Sequence, residues 1–490
     1  MGTQHPLGQQ FVVPIHILDE KLLQLSAQQG ILILMKRRLA PEFTALIVGA
    51  VITRFWGLFR PGETVFDEVY FKAFAAHYLD GHYFFDIHPP LMKLIFAYWA
   101  KLWGLDATAL LTTSALPLRL IPALAGTMFV PLIWLILRRL GASRPFAFLG
   151  AFMVLADGAL LVESRFILTD SLLLLSGLGA LYCYLVARDL TGKRRWFWLI
   201  SAITAAGIAG SIKWTGLTAL AVIGLSWLWD QRQSLGTNQR LIHAFKELAV
   251  FIIVPLSIYI GSFWLHFALL PSSGEGDAFM SQQFQSTLID NPAYDRSAHM
   301  SFVSKITELN ITMYRANRDL TATHPYGSRW ITWPFLERPI YYWQGTANNV
   351  GGQGHIYLLG NPIVWWGVVI SVIIILAHLI LSNHKLPVKV SEPLTFLTLG
   401  YLLNLLPFIG VPRVMFLYHY FFSFLYSILI VTMLGSYFLT PKLHNPRYRL
   451  GFAIAIIAVG AGFIYFSPLY YGLALTDVQL QARMWLTSWR

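Results

Sequence analysis

From Phe43 almost to the C-terminus, apolar runs long enough to cross a bilayer recur between short polar segments. A helix rises about 1.5 Å per residue, so roughly 20 apolar residues match a hydrocarbon layer about 30 Å thick. A window of about 19 residues places spans near 41–59, 119–137, 146–162, 169–187, 196–211, 214–229, 247–269, 363–381, 394–411, 416–438 and 450–468, about eleven in all. Two of them, 196–211 and 214–229, are short and joined only by Ser211, Ile212 and Lys213. Of the 490 residues 56% are hydrophobic and 12% charged, with a mean hydropathy of +0.57, so the chain has too little polar surface for a water-soluble globule. The expectation is an all-α polytopic membrane protein with one integrated domain over residues 41–470, not the series of soluble domains that length alone suggests.

The formal charge of +12 is carried by short clusters between the spans, which argues for membrane orientation and against nucleic acid. With a cytoplasmic N-terminal segment, 1–40, the clusters Lys36-Arg37-Arg38, Arg138-Arg139, Lys193-Arg194-Arg195, Lys385 with Lys389, and Lys442 with Arg447 and Arg449 all fall inside. The same threading puts outside two long loops, 60–118 and 270–362, and a tail, 471–490. In the second loop Phe302, Ile306, Leu309, Met313 and Leu320 oppose Lys305, Glu308, Arg315 and Arg318, the pattern of an amphipathic surface helix. No run near the N-terminus joins a basic start to a small-residue cleavage site, so no cleaved signal peptide is expected. There is no internal repeat or low-complexity tract. The lone Cys183 lies in an apolar span and reads as a small core residue.

Chemistry concentrates in the expected outer segments. Phe66-Asp67-Glu68-Val69-Tyr70 sets two adjacent carboxylates just after the first span. A helix start capped by Thr64 with Asp67 is the structural alternative. Phe66, Tyr70, Phe74 and Tyr78 then lead at four-residue spacing into Asp86-Ile87-His88-Pro89-Pro90-Leu91-Met92-Lys93, where two prolines hold the backbone extended and His88 and Lys93 can share a polar ligand. Arg54 and Arg119 lie in apolar company, where a charge must face a wet cavity, bind an anion or pair with Asp67, Glu68 or Glu163. Glu163-Ser164-Arg165 and Thr169-Asp170-Ser171 add a further charged set. An acid beside arginines, a lysine and a histidine suits transfer of a group from a phosphate: the carboxylate takes the proton of an attacking hydroxyl, and cations stabilise the departing phosphate. Such a leaving group needs no acid, so one base suffices.

The stretch FDEVYFKAFAAHYLDGHYFFDIHPPLMK resembles the first external loop of the dolichyl-phosphate-mannose protein O-mannosyltransferases. SRFILTDSLLLL, GSIKWTGL, YGSRWITWPFLERPIYYW, IYLLGNPIVWW and FLYHYFFSFLYSILI follow in order, so the likeness runs from about residue 54 to 430. The resemblance implies a C-type glycosyltransferase fold and an inverting transfer of mannose from a polyprenyl- or dolichyl-phosphate carrier to Ser/Thr hydroxyls of exported proteins. It implies Asp67 as base with Glu68 beside it, and Arg54 and Arg119 as membrane-embedded arginines of importance. Arg119 is the first choice for the donor phosphate. His88, Lys93 and Arg165 are assigned to the donor, and Glu163, Asp170, Trp333 and His419 to acceptor or sugar, from charge and position.

Where the usual motif reads HPPLGK, this chain has Met92, which puts a close backbone approach there in question. The loop 270–362 is short for the β-trefoil MIR domain of eukaryotic relatives, which suggests a bacterial-type member in the plasma (inner) membrane. Trp330, Trp333, Tyr341, Tyr342 and Trp343 can stack on sugar, hold a lipid tail or form an interfacial belt, and Trp365 and Trp366 read as belt residues. No cofactor is demanded and no metal ligands are assigned, although a divalent cation could neutralise phosphate. Expected partners are the lipid-linked donor, exported acceptors and the secretion machinery. The nearest alternative is another C-type enzyme acting on a lipid or polysaccharide, such as an aminoarabinose transferase for lipid A. A secondary transporter or lipid flippase is less favoured because the charges gather at the membrane mouth and not at its midplane.

Overall fold

In the computed structural model, eight helices among the described residues are long and apolar enough to cross a membrane: Leu116–Arg139, Asp170–Arg188, Gly192–Ile212, Leu241–Leu269, Pro362–Leu381, Val388–Gly410, Leu417–Lys442 and Pro446–Tyr471. The structure describes residues 40–113, 115–232, 238–346, 352–382 and 385–490. The segment 1–39, with its expected cytoplasmic placement and the Lys36-Arg37-Arg38 cluster, lies outside them. The chain forms two units, Met1–Ala45 and Leu46–Arg490, and every candidate site residue belongs to the second.

The three other expected spans are shorter helices: α1, Pro41–Phe55; α2, Arg144–Leu155, with the short Gly158–Glu163 after it; and α3, Leu217–Gln231. The run 146–162 is split because the Asp157 carboxylate accepts from Leu160 N and caps a new helix start. The long span Gly192–Ile212 packs on Asp170–Arg188 and on Asn238–Leu269. Its buried face is rich in small residues (Ala202, Ala206, Ala209, Gly210), which allow close backbone approach.

Ion pairs sort the two ends of the bundle. Arg139 pairs with Asp189 at 2.7 Å, Arg188 with Asp230 at 2.7 Å and Glu392 at 2.6 Å, and Arg195 with Glu247 at 2.8 Å. These residues sit at the ends of spans remote from Arg119, Asp170 and Lys213, so two of the basic clusters read as internal share one end.

The amphipathic helix is Phe302–Asp319, with Leu309 and Met313 buried. The earlier helix, Glu68–Asp80, buries Phe71, Ala75 and Tyr78 and leaves Tyr70 60% exposed, so its inner face is rotated from the four-residue stripe at Phe66 and Tyr70. The all-α expectation needs one addition. Ile340–Gln344, Gln353–Leu358 and Ala474–Leu475 form a three-stranded antiparallel sheet. Aromatic and β-branched residues in Ile340-Tyr341-Tyr342-Trp343 favour the strand. A bulge between Tyr341 and Trp343 leaves Tyr342 without a partner in the ladder and turns its side chain to the site.

Candidate active site

The chain leaving α1 is wrapped by two arginines from later spans. Arg165 donates to the carbonyls of Arg54, Trp56 and Gly57 at 3.2, 2.7 and 2.9 Å, which places a cation on the last carbonyls of the helix. Arg119 donates to Leu58 O, Pro61 O and Glu63 O at 3.3, 2.7 and 2.9 Å. Its Nε and second Nη reach the two Glu68 oxygens at 2.7 and 2.6 Å. All five guanidinium N–H groups are thereby committed, and the face of the group lies 5.0 Å from the Phe166 ring. Arg54 in turn donates to Thr53 Oγ1, Leu155 O and Val154 O, fastening α1 to the end of α2.

Glu68 is fully buried and also accepts from Val65 N at 2.8 Å and Ile167 N at 2.9 Å. With four donors on two oxygens it is a satisfied structural carboxylate, not a free acid. Asp67 is its opposite. It occupies the helix N-cap position without a capping bond, and among the described residues its carboxyl accepts no hydrogen bond, so the Thr64–Asp67 capping alternative is not realised. The preceding Phe66 has φ 50°, a conformation rare outside glycine, and its ring stacks on Tyr342 at 4.2 Å. That turn aims consecutive carboxylates in different directions. Burial raises the Asp67 pKa to about 6, against the pull of Lys213 and aided by Asp170 and Asp86.

Around Asp67 stand groups from several other elements. Glu163 accepts from Tyr342 Oη at 3.0 Å and lies near Asp170. Asp170 accepts from Lys213 Nζ at 2.5 Å, and Lys213 lies 5.2 Å from the Tyr418 ring. Tyr418 is within electrostatic reach of Asp67, Glu163, Asp170 and Arg413. Lys213 stands in the extended break after Gly192–Ile212, with one ion pair and N–H capacity to spare. The break requires Gly216, since a Cβ there would meet Ala209 O at 2.2 Å. Arg413, between two spans, makes no side-chain hydrogen bond or ion pair among the described residues, and Tyr418 is an ionisable neighbour.

Several assignments to the donor and acceptor therefore change meaning. Arg119, Arg54 and Arg165 hold backbone and Glu68, and Arg119 has no N–H left for a phosphate. Lys93 gives its three N–H groups to the Asp86 carboxylate, His88 O and Pro89 O, so it braces the proline turn. Met92, at the motif's glycine position, is buried in the core, so no ligand approaches the backbone there. The His88 pKa is driven well below 6.5 by burial and by Lys213, Lys93 and Arg413, so it meets a ligand as a neutral ring. Trp333 is fully buried and donates to Ser328 Oγ at 2.9 Å, and His419 stacks on it while bonding Phe416 O at 3.0 Å; neither offers a sugar a free face. Trp365, read as a belt residue, is buried and donates to Asp157 at 2.7 Å.

Lys213 and Arg413 were not singled out from sequence. The lysine within GSIKWTGL, a charge at a helix break between apolar runs, was the available signal. No group of three or more His, Cys, Asp or Glu side chains among the described residues has the proximity of a metal site.

The bundle places an acid without a hydrogen bond beside Lys213 and Arg413 at its mouth, and its fold is that of the C-type glycosyltransferases. The structure superposes on the Saccharomyces cerevisiae protein O-mannosyltransferase Pmt1-Pmt2 complex bound to the sugar donor with a TM-score of 0.83 and 20% identity, covering 94% of each chain. ArnT from Cupriavidus metallidurans bound to undecaprenyl phosphate gives 0.52 at 15% identity, over 88% of this chain and 76% of that one.

Residues 44–271 match the family model of the dolichyl-phosphate-mannose-protein mannosyltransferases, and residues 302–489 match the model of the C-terminal four-span region of protein O-mannosyltransferases. The chain belongs to that family. Dolichyl-phosphate-mannose–protein mannosyltransferase 4 of Schizosaccharomyces pombe is 35% identical over 285 residues, 54% of this chain and 37% of the relative. Protein O-mannosyltransferase 1 of Drosophila melanogaster is 33% identical over 255 residues, 48% of this chain and 28% of the relative. The match thus spans under two fifths of either relative's length.

Proposed function

We propose that this protein transfers mannose from a polyprenyl- or dolichyl-phosphate carrier to Ser or Thr hydroxyls of exported polypeptides, with inversion at the anomeric carbon. The acceptor oxygen attacks C1 of the sugar, the C1–O bond to phosphate breaks, and Asp67 takes the hydroxyl proton. The lipid phosphate leaves as an anion against Lys213 and Arg413, while Glu68 and Arg119 hold the turn that aims Asp67. The observation that carries this reading is the unbonded Asp67 carboxyl, tuned to about 6 beside Lys213. Family membership supports the sugar and the acceptor class. The reading includes a plasma-membrane location with the N-terminus inside, the site outside, and access to chains leaving the secretion machinery.

The test is incorporation of label from polyprenyl-phosphate mannose into a Ser/Thr-rich peptide by the purified protein in lipid vesicles. Label appearing only in glycolipid would assign the chain to lipid or polysaccharide modification instead.

A further inference from the structure

Beside the reaction site lies a cleft of about 510 Å³ between residues 320–330, which follow the amphipathic helix, and residues 408–415, which join two spans. Its volume is in the range of ligand-binding clefts. Two observations describe its chemistry. First, its lining carries Arg329, Arg413 and His324 and no acidic residue. Arg329 is exposed, and neither arginine side chain makes a hydrogen bond or ion pair among the described residues. Second, apart from a helical turn ending at Gly410 and a turn at 325–326 the walls are neither helix nor strand, Ser328 N donates to Met415 O at 2.8 Å across them, and the N–H groups of Thr321–Thr323 and Arg413–Met415 form no hydrogen bond within the described residues. Irregular walls with free main-chain donors and hydroxyls match an extended polypeptide, which pairs through its backbone.

The cleft also leads to the chemistry. Arg413 lines it and stands in electrostatic reach of Tyr418, which in turn reaches Asp67.

Resting on the proposed reaction, we infer that this cleft binds the acceptor polypeptide in extended form and selects acidic residues flanking the target hydroxyl. Arg329 is the specificity residue, and Arg413 stands where the peptide meets the donor.

Peptide binding tests this without sugar transfer, so the cleft and the reaction stand or fall separately. Fluorescent Ser/Thr peptides flanked by Asp, by Asn or by Lys are titrated onto the full-length protein in nanodiscs of neutral lipid. The Asp peptide is expected to bind about threefold to tenfold tighter than the Asn peptide at low salt, with the advantage shrinking as salt rises. Arg329→Glu should reverse the order in favour of the Lys peptide, and Arg329→Lys should restore the wild-type order. A structural role for Arg329 would not follow peptide charge. Equal affinities of the three peptides for wild type, or an Arg329→Glu effect that is the same for all three, overturns the inference. So does an Arg329→Glu effect seen only as lost dependence on added anionic lipid, which would place a headgroup in the cleft.

Discussion

Replacing Asp67 by Asn should slow transfer by orders of magnitude and at the same time make the protein more stable. An acid whose folded pKa is about 6 against an ordinary 3.8 is held in a place that disfavours its charge. At about 1.4 kcal/mol per pH unit, ionising it in the fold costs about 3 kcal/mol, an upper value because the carboxyl is partly exposed and water screens it; about 1–3 kcal/mol is the working range. Because the folded pKa is raised, the cost is absent below pH 3.8, grows between 3.8 and about 6, and is complete above that. Asparagine removes it while keeping shape and volume. Thermal unfolding in detergent should therefore give Asp67→Asn a higher midpoint than wild type at pH 7.5, with the gap closing toward pH 4. Turnover should fall by about 10²–10⁴, with donor affinity retained. Wild-type kcat should drop about tenfold per pH unit below about 6 as the base is protonated. Wild-type turnover in the variant, or a lower midpoint at pH 7.5, would refute the assignment of a strained, unbonded base.

The neighbouring acid should behave in the opposite sense: Glu68→Gln sets an amide N–H against Arg119 and Val65 donors, costs about 3–5 kcal/mol, and shows as a lowered unfolding midpoint and poor membrane yield. Lys213→Ala should raise the donor KM about tenfold or more. It should also move the acid limb of the pH profile upward, because Lys213 lowers the Asp67 pKa. Gly216→Ala must displace Ala209 O from 2.2 Å, so folded yield should fall even though alanine favours helix.

Most apolar spans and the gathering of charge at the bundle mouth were readable because they are properties of local runs, whereas the break at Asp157 was not. Apolar length sets what can cross a membrane, a buried charge is conspicuous in such a run, and Phe302–Asp319 shows its amphipathic period directly. The sheet was less visible, since Ile340–Gln344 is as compatible with an interfacial belt as with a strand. The aromatic residues misread most plainly were Trp333 and Trp365. Both look like surface tryptophans in sequence, and both are buried because Ser328 and Asp157 accept their N–H groups.

The amino-acid order by itself determined that the chain lives in a bilayer, and that an acid pair, arginines and a lysine meet near its rim. It could not divide the labour among like charges. Asp67 and Glu68 are adjacent carboxylates, and Arg119 and Arg413 are equally cationic on paper. Only the tertiary structure gave Glu68 the N–H of Ile167, 99 residues away, and the guanidinium of Arg119, 51 residues away, leaving Asp67 and Arg413 unpaired. A group's chemistry depends on whether its hydrogen-bonding capacity is already satisfied, and in this fold the satisfying partners come from distant helices.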